Sequence, residues 1–422
     1  MSSPASVVRS IMLTAFSSQA ACHAFLTLRR AGSVAARRAV AERLTRTASI
    51  QAASKRIPAL RCASRPDSFV SRFLDVAIET APPIRGDDTA LARRYDVDLM
   101  ALRCTESCTP VHPLEATMQL ARFSRRRYTE GRTPLEFLSR LSAALGGPDI
   151  WIKRDDKTGL AAGGNKTRKL EFLVADALDK GADLLITVGA PQSNHARLTL
   201  AAAAKEGLTC RLLIEERVPG TYHADAVGNA LLFDLMGVNA VEVVSAGTDL
   251  AAALTAMAEK ARADGFTPYV IPGGGSNALG SLGYVACAQE TLLQGFEADV
   301  WWDHWVCASG SGGTHAGLLA GLHGANAGIP LTGISVRAER APQEAKIAGL
   351  ARDALALLEG PSDLPNAAAV VRDDQVGPGY SLPTEAMGEA VRLFAREEAI
   401  LLDPVYTGKT AAGLIAMVRD GT

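Results

Sequence analysis

From about residue 119 onward, short apolar runs alternate with segments whose apolar residues recur at helical spacing. The run DLLITVG at 183–189 is almost continuously apolar and predicts a buried strand. After Asn165, apolar residues recur every three or four positions, which predicts a helix, and Gly181 predicts its end. Such alternation of strand and helix is typical of an α/β fold with parallel sheets and helices on both faces.

The same alternation continues to about residue 337. It predicts further strands at 151–156, 208–214, 239–244, 268–271, 299–307 and near 331–337. It predicts helices at 194–205, around 223–236, near 248–264, from about 277 and from about 314. In a sheet of this kind, ligands bind where strands end and helices begin, so the loops at those places are candidate sites.

Composition excludes several classes of protein. Of the 422 residues, 48% are apolar and 21% are charged, which permits a large core and excludes global disorder. The 44 Lys and Arg residues nearly balance 45 Asp and Glu residues, and aromatic residues make up 5%, so we expect neither nucleic acid nor a membrane surface as partner. The cysteines are scattered and predict no metal site and no disulfide framework.

The first 65 residues differ from the rest in charge. They hold eleven Lys and Arg residues, one acidic residue (Glu42) and many Ser and Ala residues. This composition is typical of a transit peptide for a mitochondrion or another organelle. A basic extension without a targeting role fits equally well and would leave the protein in the cytoplasm. Residues 66–118 form a linker to which we assign no function.

The loop GGNKTRKLE (163–171) places Lys166 at the start of a predicted helix. The positive end of the helix dipole, together with Arg168 and Lys169, is expected to lower the pKa of Lys166. A lysine with a lowered pKa supplies the free amine that forms a Schiff base with an aldehyde. A solvated basic helix start is the alternative.

The loop GAPQSNHAR (189–197) joins a buried strand to a helix. Ser193 and Asn194 are residue types that cap helices. The same geometry offers backbone N–H groups and a side-chain amide to a carboxylate or phenolate. His195 is a candidate proton shuttle, although packing or capping is the plainer interpretation.

The loop CASGSGGTHAG (307–317) leads from a predicted strand into a helix. Its glycines let backbone N–H groups converge, and its hydroxyls add further donors, so the loop predicts a site for a phosphate monoester. The residues that form this loop are Gly310, Ser311, Gly312, Gly313 and Thr314. The loop IPGGGSNALGSLGY (271–284) is also glycine-rich, and residue patterns alone do not decide between the two.

A reactive lysine together with a monophosphate site suggests pyridoxal phosphate. The motifs WIKRDD, GGNKTRKLE, QSNHAR, GGGSNALGSLGY, ASGSGGTHAG, GYSLP and DPVYTGK occur in this order. Residues 119–422 therefore resemble the pyridoxal-phosphate enzymes of fold type II, the tryptophan-synthase-β type. Within these, they resemble the branch of D-cysteine desulfhydrase and 1-aminocyclopropane-1-carboxylate deaminase. The resemblance implies two three-layer αβα subdomains with parallel sheets, the smaller at about 168–275, and the cofactor in the cleft between them.

The resemblance also implies roles for individual residues. Lys166 matches the lysine that binds the cofactor aldehyde and later moves the α-proton, and Lys169 matches a phosphate contact. Asn194 matches the partner of the cofactor's phenolic oxygen. Gly310 to Thr314 match the phosphate loop, which leaves the loop at 271–284 a structural or substrate-side role. Ser193 matches a hydroxyl that handles the substrate carboxylate or a proton. Tyr380 and Tyr406 match two active-site tyrosines, of which Tyr406 would lie against the pyridine ring.

Thr407 separates two activities within this branch. The deaminases have a Glu after the corresponding tyrosine, which keeps the ring nitrogen protonated, whereas Thr407 offers only a hydroxyl. The resemblance therefore implies a β-elimination lyase that converts D-cysteine to pyruvate, sulfide and ammonia. Cysteate, 3-chloro-D-alanine and D-serine stay open as substrates, and the cyclopropane deaminase is the alternative activity.

The chain ends at Thr422, sixteen residues after Tyr406, whereas relatives continue through a further strand. We therefore expect an open sheet edge, and a cofactor-binding homologue without activity is a third alternative. The resemblance further implies a homodimer, a small-molecule substrate and no metal.

Overall fold

A computed structural model describes residues 118–223 and 227–422. The predicted transit peptide at 1–65 and nearly all of the linker at 66–118 lie outside the described residues. Among the described helices, none combines the length and apolarity needed to cross a membrane.

Nine strands and ten α-helices alternate along the described chain. The strands are β1 (Leu135–Phe137), β2 (Trp151–Lys153), β3 (Leu184–Gly189), β4 (Thr209–Glu216), β5 (Ala240–Ser245), β6 (Pro268–Ile271), β7 (Trp305–Ser309), β8 (Leu331–Ser335) and β9 (Val370–Arg372). The helices are α1 (Ser139–Leu145), α2 (Lys166–Asp179), α3 (Asn194–Glu206), α4 (Asn229–Leu235), α5 (Leu250–Ala263), α6 (Ala278–Glu297), α7 (Gly313–Gly324), α8 (Arg340–Leu357), α9 (Glu385–Glu398) and α10 (Thr407–Asp420).

Strands β3 to β6 form one parallel sheet in the order β5-β4-β3-β6. Successive side chains of a strand point to opposite faces, so each strand supplies two cores. Leu185 and Leu212 pack with α2 and α3 on one face, and Ile186 and Leu213 pack with α5 on the other. The result is a three-layer αβα unit, as predicted.

Strands β7, β8 and β9 form a second parallel sheet in that order. Helices α6, α7 and α8 share a core with its Cys307 and Leu331. Helix α10 packs closely against the other face of this sheet. A Cβ added to Gly413 would lie only 2.7 Å from Ile334 Cδ1 of β8. Strands β1 and β2 pair antiparallel beside α1, α9 and α10. The predicted α/β class with parallel sheets is therefore confirmed.

Two predicted elements begin later than expected. The helix predicted around 223–236 begins only at Asn229, because Gly228 takes a positive φ of 67° and Gln192 Oε1 accepts the Asn229 N–H over 2.8 Å. The strand predicted at 299–307 begins at Trp305, because α6 extends to Glu297 and the chain then turns through Asp299 at φ 55°. Both differences arise from local turns that an apolar run does not reveal.

A buried ionic cluster attaches α2 to the second sheet's helices. Arg168 Nε donates to Asp155 Oδ2 over 2.8 Å, and its Nη1 donates to Glu290 Oε2 over 2.9 Å. Its Nη2 also donates to Thr133 Oγ1 over 2.9 Å. Burial alone would raise the pKa of Glu290, but Arg168 and Lys153 more than offset it and lower the pKa to about 2. The cluster thereby holds the start of α2 in place.

Candidate functional site

Lys166 is the first residue of α2 and is only 7% exposed. Its Nζ donates to the Oδ1 of Asn165 over 2.9 Å and lies 5.6 Å from the centroid of the Tyr406 ring. Asn165 Nδ2 in turn donates to Thr314 Oγ1 over 3.0 Å. Asn165, which the sequence analysis did not single out, therefore connects the lysine to the glycine-rich loop at 310–314.

Burial lowers the pKa of Lys166 to about 8, and the Asp403 carboxylate opposes the shift. The lowered pKa agrees with the sequence analysis, but the cause differs from the one expected. Arg168 was expected to act on Lys166, whereas its guanidinium is held by Asp155 and Glu290. Desolvation of the amine therefore replaces charge repulsion by Arg168 as the explanation.

Lys169, one turn further along α2, is 1% exposed. Its Nζ donates to the carbonyl of Gly274 over 3.0 Å and to Ser276 Oγ over 3.2 Å. Burial lowers the pKa of Lys169 well below its usual value, and the charges of Lys166 and Lys346 add to this effect. Its hydrogen-bond partners among the described residues are neutral, so the ammonium is buried without an acidic partner.

The segment from Gly310 to Thr314 leads from β7 into the first turn of α7, and its glycines leave no room for side chains. A Cβ on Gly310 would lie 2.8 Å from the Tyr406 ring, and a Cβ on Gly313 would lie 2.9 Å from Lys169 Nζ. Gly312 has φ 104°, a conformation that side chains disfavour. The backbone of this loop therefore lies directly against Lys169 and Tyr406 at the start of α7, as the backbone donors of a phosphate cradle would.

The second glycine-rich loop lies against the first. Ser276 Oγ donates to Ser311 Oγ over 2.8 Å and accepts the N–H of Gly313 over 3.1 Å. The residue patterns left these two loops as competitors, whereas the structure brings them together around Lys169. Ser276 is a candidate that the sequence analysis missed, although its place after three glycines was a signal.

The loop before α3 contributes Ser193 and Asn194. Ser193 is the N-cap of α3, since its Oγ accepts the Ala196 N–H over 3.2 Å. Asn194 begins the helix, and its Nδ2 lies 3.4 Å from the position that a Cβ on Gly164 would take. This places the Asn194 amide beside the loop that carries Lys166.

His195 hydrogen-bonds to Thr187 of β3 and to none of these groups. It is buried, its Nε2 lies 2.8 Å from Thr187 Oγ1, and its Nδ1 has no partner among the described residues. Burial lowers the pKa of His195 well below its usual value, so the ring is neutral. Of the two interpretations of His195, the packing one fits this environment.

Tyr380 and Tyr406 form a pair. Their hydroxyls lie 3.0 Å apart, and their rings meet edge to face with centroids 5.9 Å apart. Burial raises the pKa of Tyr406, and the neighbouring Tyr380 hydroxyl adds to the shift, so the Tyr406 phenol keeps its proton. The pair therefore places the neutral Tyr406 phenol near Lys166.

Thr407 begins α10 and is exposed. Its Oγ1 donates to Asp403 Oδ2 over 2.6 Å, and its N–H donates to the same oxygen over 2.9 Å. The hydroxyl that was considered as a partner for a ring nitrogen is thus bonded to Asp403.

Charged side chains line cavities in the described part of the chain. One of about 210 Å³ is lined by Glu215, Arg217, Leu250, Arg337 and Tyr380. Another, of about 450 Å³, lies among Arg125, Arg127, Arg132 and Arg168 and includes none of the predicted site residues. No group of three His, Cys, Asp or Glu side chains is placed to hold a metal within residues 118–223 and 227–422.

Comparison with known proteins shows which proteins this chain resembles. The family model described as "Pyridoxal-phosphate dependent enzyme" matches residues 126–422. D-cysteine desulfhydrases of Salmonella typhimurium and Salmonella typhi are each 49% identical over 298 residues, which covers 70% of this chain and 89% of theirs. A solved 1-aminocyclopropane-1-carboxylate (ACC) deaminase homologue is 39% identical with a TM-score of 0.66, over 72% of this chain and 89% of that one.

The residues present fit pyridoxal phosphate. A buried ammonium is unfavourable unless an anion compensates it, and Lys169 has the glycine cradle, Ser276 and Ser311 beside it for a phosphate group. Lys166 has the lowered pKa that attack on an aldehyde requires. This chain belongs to the family of pyridoxal-phosphate dependent enzymes.

Proposed function

We propose that this protein is a carbon–sulfur lyase that converts D-cysteine and water to pyruvate, hydrogen sulfide and ammonia. The observation that carries the proposal is the buried amine of Lys166, with its pKa lowered to about 8, beside the Tyr380–Tyr406 pair. The 49% identity to D-cysteine desulfhydrases over 298 residues supports the choice of substrate.

The residues divide into those that bind and those that move protons. Lys169, Ser276 and the loop from Gly310 to Thr314 bind the cofactor's phosphate, because they combine a buried ammonium with hydroxyl and backbone donors. Asn194 binds the phenolic oxygen, and Ser193 binds the substrate carboxylate at the start of α3, where the helix dipole favours an anion. Tyr406 packs against the cofactor ring.

Lys166 removes the α-proton of the substrate. A general base is most effective when its pKa lies near the working pH, and Lys166 meets that condition. Its bond to Asn165 Oδ1 orients the amine. When bound, the cofactor supplies an electron sink for the negative charge left on the α-carbon. The Tyr406 hydroxyl, which keeps its proton, is available to donate a hydrogen bond to the sulfur as it departs as a thiolate.

The 39% identical ACC deaminase homologue favours ring-opening deamination of 1-aminocyclopropane-1-carboxylate as the second candidate. The two reactions release different products. Purified holoenzyme is incubated separately with D-cysteine, L-cysteine and the cyclopropane substrate, and sulfide, pyruvate and 2-oxobutyrate are measured. Sulfide and pyruvate in equal amounts from D-cysteine alone support the proposal. Production of 2-oxobutyrate without sulfide, or no product from a cofactor-loaded protein, contradicts it.

The domain limits, assembly and location are further proposals. We propose that residues 119–422 form the catalytic part, with about 168–275 as its smaller subdomain; the run from α2 to β6 supports these limits.

We propose from the family resemblance that the protein is a homodimer, and light scattering of the purified protein tests this. We propose organelle import from the basic composition of residues 1–65, tested by locating a fluorescent fusion with and without that segment.

A further inference from the structure

Two arginines lie beside the Tyr380–Tyr406 pair without a role in the function proposed above. Arg217 follows the end of β4, and Arg337 follows the end of β8. Each therefore lies at the carboxyl end of a parallel strand, one from each sheet, which is where such sheets place ligand contacts. Both line the cavity of about 210 Å³ that also includes Tyr380.

Arg217 has a donor with no acceptor. Its Nε and Nη2 reach Glu215 Oε2 over 2.7 and 2.6 Å, and its Cζ lies 4.4 Å from the Tyr380 ring centroid. Its Nη1 is buried and has no hydrogen-bond partner among the described residues. The Arg217 side chain as a whole is 33% exposed, but this nitrogen is buried. An unmet buried donor is unfavourable, so the position favours an acceptor supplied by a ligand.

The charges around the cavity do not balance. Arg217 and Arg337 face a single acidic lining residue, Glu215, which already accepts from Arg217. Arg337 is exposed and forms no ion pair with a described carboxylate. Both guanidinium groups also act on the Tyr406 hydroxyl: burial and Tyr380 raise the pKa of Tyr406, and Arg337 and Arg217 oppose that shift.

The anions already assigned in the proposed function have other partners. Lys169 and the glycine loops take the phosphate, and the start of α3 takes the substrate carboxylate. The two arginines are therefore available to an anion at the opposite, side-chain end of the substrate, next to Tyr380.

We propose that Arg217 and Arg337 form an anion subsite for the side chain of an α-amino acid, so that the enzyme binds side chains ending in an acidic group more tightly than neutral ones of the same shape. This inference rests on the proposed function, since it names the substrate class of the same site. The thiolate of D-cysteine is the smallest member of that class. Arg217 binds the anion with its unmet Nη1, and Arg337 supplies the second charge from the facing sheet.

D-Aspartate and D-asparagine are suited to test the subsite, because their side chains have nearly the same shape and differ in charge. Each is titrated into the holoenzyme, and binding is followed by the change in cofactor absorbance, which requires no turnover. We expect D-aspartate to bind roughly tenfold more tightly, as one charge-assisted hydrogen bond contributes about that factor. We expect Arg217→Gln and Arg337→Gln each to reduce the ratio severalfold.

Arg419→Gln is the matched control, because Arg419 lies in the last turn of α10 and pairs with Glu389 at the surface. It should leave the ratio as in the unmodified enzyme. Arg217→Lys keeps the charge and should therefore retain part of the ratio. It replaces Arg217→Gln in the test if that variant folds poorly. Equal binding of the two ligands to the unmodified enzyme, or an unchanged ratio in Arg337→Gln, overturns the proposal. Absence of sulfide from D-cysteine would instead overturn the proposed function while this ratio remains measurable.

Discussion

The ammonium of Lys166 donates to the side-chain oxygen of Asn165, its neighbour in the chain, over 2.9 Å. Asn165 also donates to Thr314, so one neutral side chain holds the amine against the loop that begins at Gly310. The pKa of the amine is about 8, and burial is its main cause. The hydrogen-bond partner of this amine is therefore neutral, and a charge introduced at Asn165 should shift the pKa of Lys166.

Asn165→Asp tests this relationship. A carboxylate beside an amine favours the ammonium form and raises the pKa of Lys166. Since only the free amine captures the cofactor, the rate of cofactor capture by apoenzyme should rise through a midpoint near pH 8 in the unmodified protein and at higher pH in the variant. Asn165→Ser, which is neutral, is the control. A midpoint that does not move in Asn165→Asp would show that this contact does not control the amine.

Gly313→Ala should weaken cofactor binding. The added Cβ would lie 2.9 Å from both Lys169 Nζ and Ser276 Oγ, inside the space assigned to phosphate. We expect the dissociation constant of the cofactor, measured by equilibrium dialysis, to increase by roughly tenfold or more, because a charge-assisted hydrogen bond is lost. Gly349→Ala in α8 meets no atom within 4 Å and should leave that constant unchanged. Equal affinity in the two variants would exclude this loop as the cradle.

Lys169→Met should have opposite effects on stability and on cofactor binding. The folded-state pKa of Lys169 lies below its unfolded value, so the unfolded chain binds more protons and stability falls as pH decreases below the unfolded pKa of about 10.4. Removal of the amine should therefore raise the melting temperature of the apoprotein, most strongly at low pH. Cofactor affinity should fall by about two orders of magnitude. A variant that is less stable than the parent at every pH would contradict this account of Lys169.

Thr407→Glu tests the residue that was used to separate the two activities. Because a Glu at this position is what the deaminases have, we expect the variant to form more 2-oxobutyrate from the cyclopropane substrate relative to sulfide from D-cysteine. The structure adds that Thr407 Oγ1 donates to Asp403, so an introduced carboxylate would face another carboxylate. Thr407→Val removes the hydroxyl with little change of shape and is the control. A ratio that is the same in all three proteins would mean that this residue serves only to begin α10.

The alternation of apolar runs with helical spacing predicted most elements, because buried strands and amphipathic helices each have a clear period. The boundaries at Asn229 and Trp305 were missed, since both depend on turns at Gly228 and Asp299 that change no hydrophobic pattern. The resemblance to a known family supplied Tyr380 and Tyr406, which the residue patterns alone had not distinguished.

Asn165, Ser276 and Arg217 were not predicted as site residues. Their chemistry depends on which distant segment they meet: Asn165 meets Thr314, Ser276 meets Ser311, and Arg217 meets Tyr380. Residue patterns along the chain indicate burial and local geometry. Contacts between distant segments form only when the two sheets and their loops are assembled.

The central claim is that Lys166 holds the cofactor. Borohydride reduction of the holoenzyme, followed by proteolysis and mass spectrometry of the peptides, tests it most directly. The account predicts that the reduced cofactor is attached to the peptide containing Lys166 and that Lys166→Ala, with its fold verified by circular dichroism, carries none. Attachment to Lys169, to Lys346 or to any other lysine, with Lys166 unmodified, would contradict it.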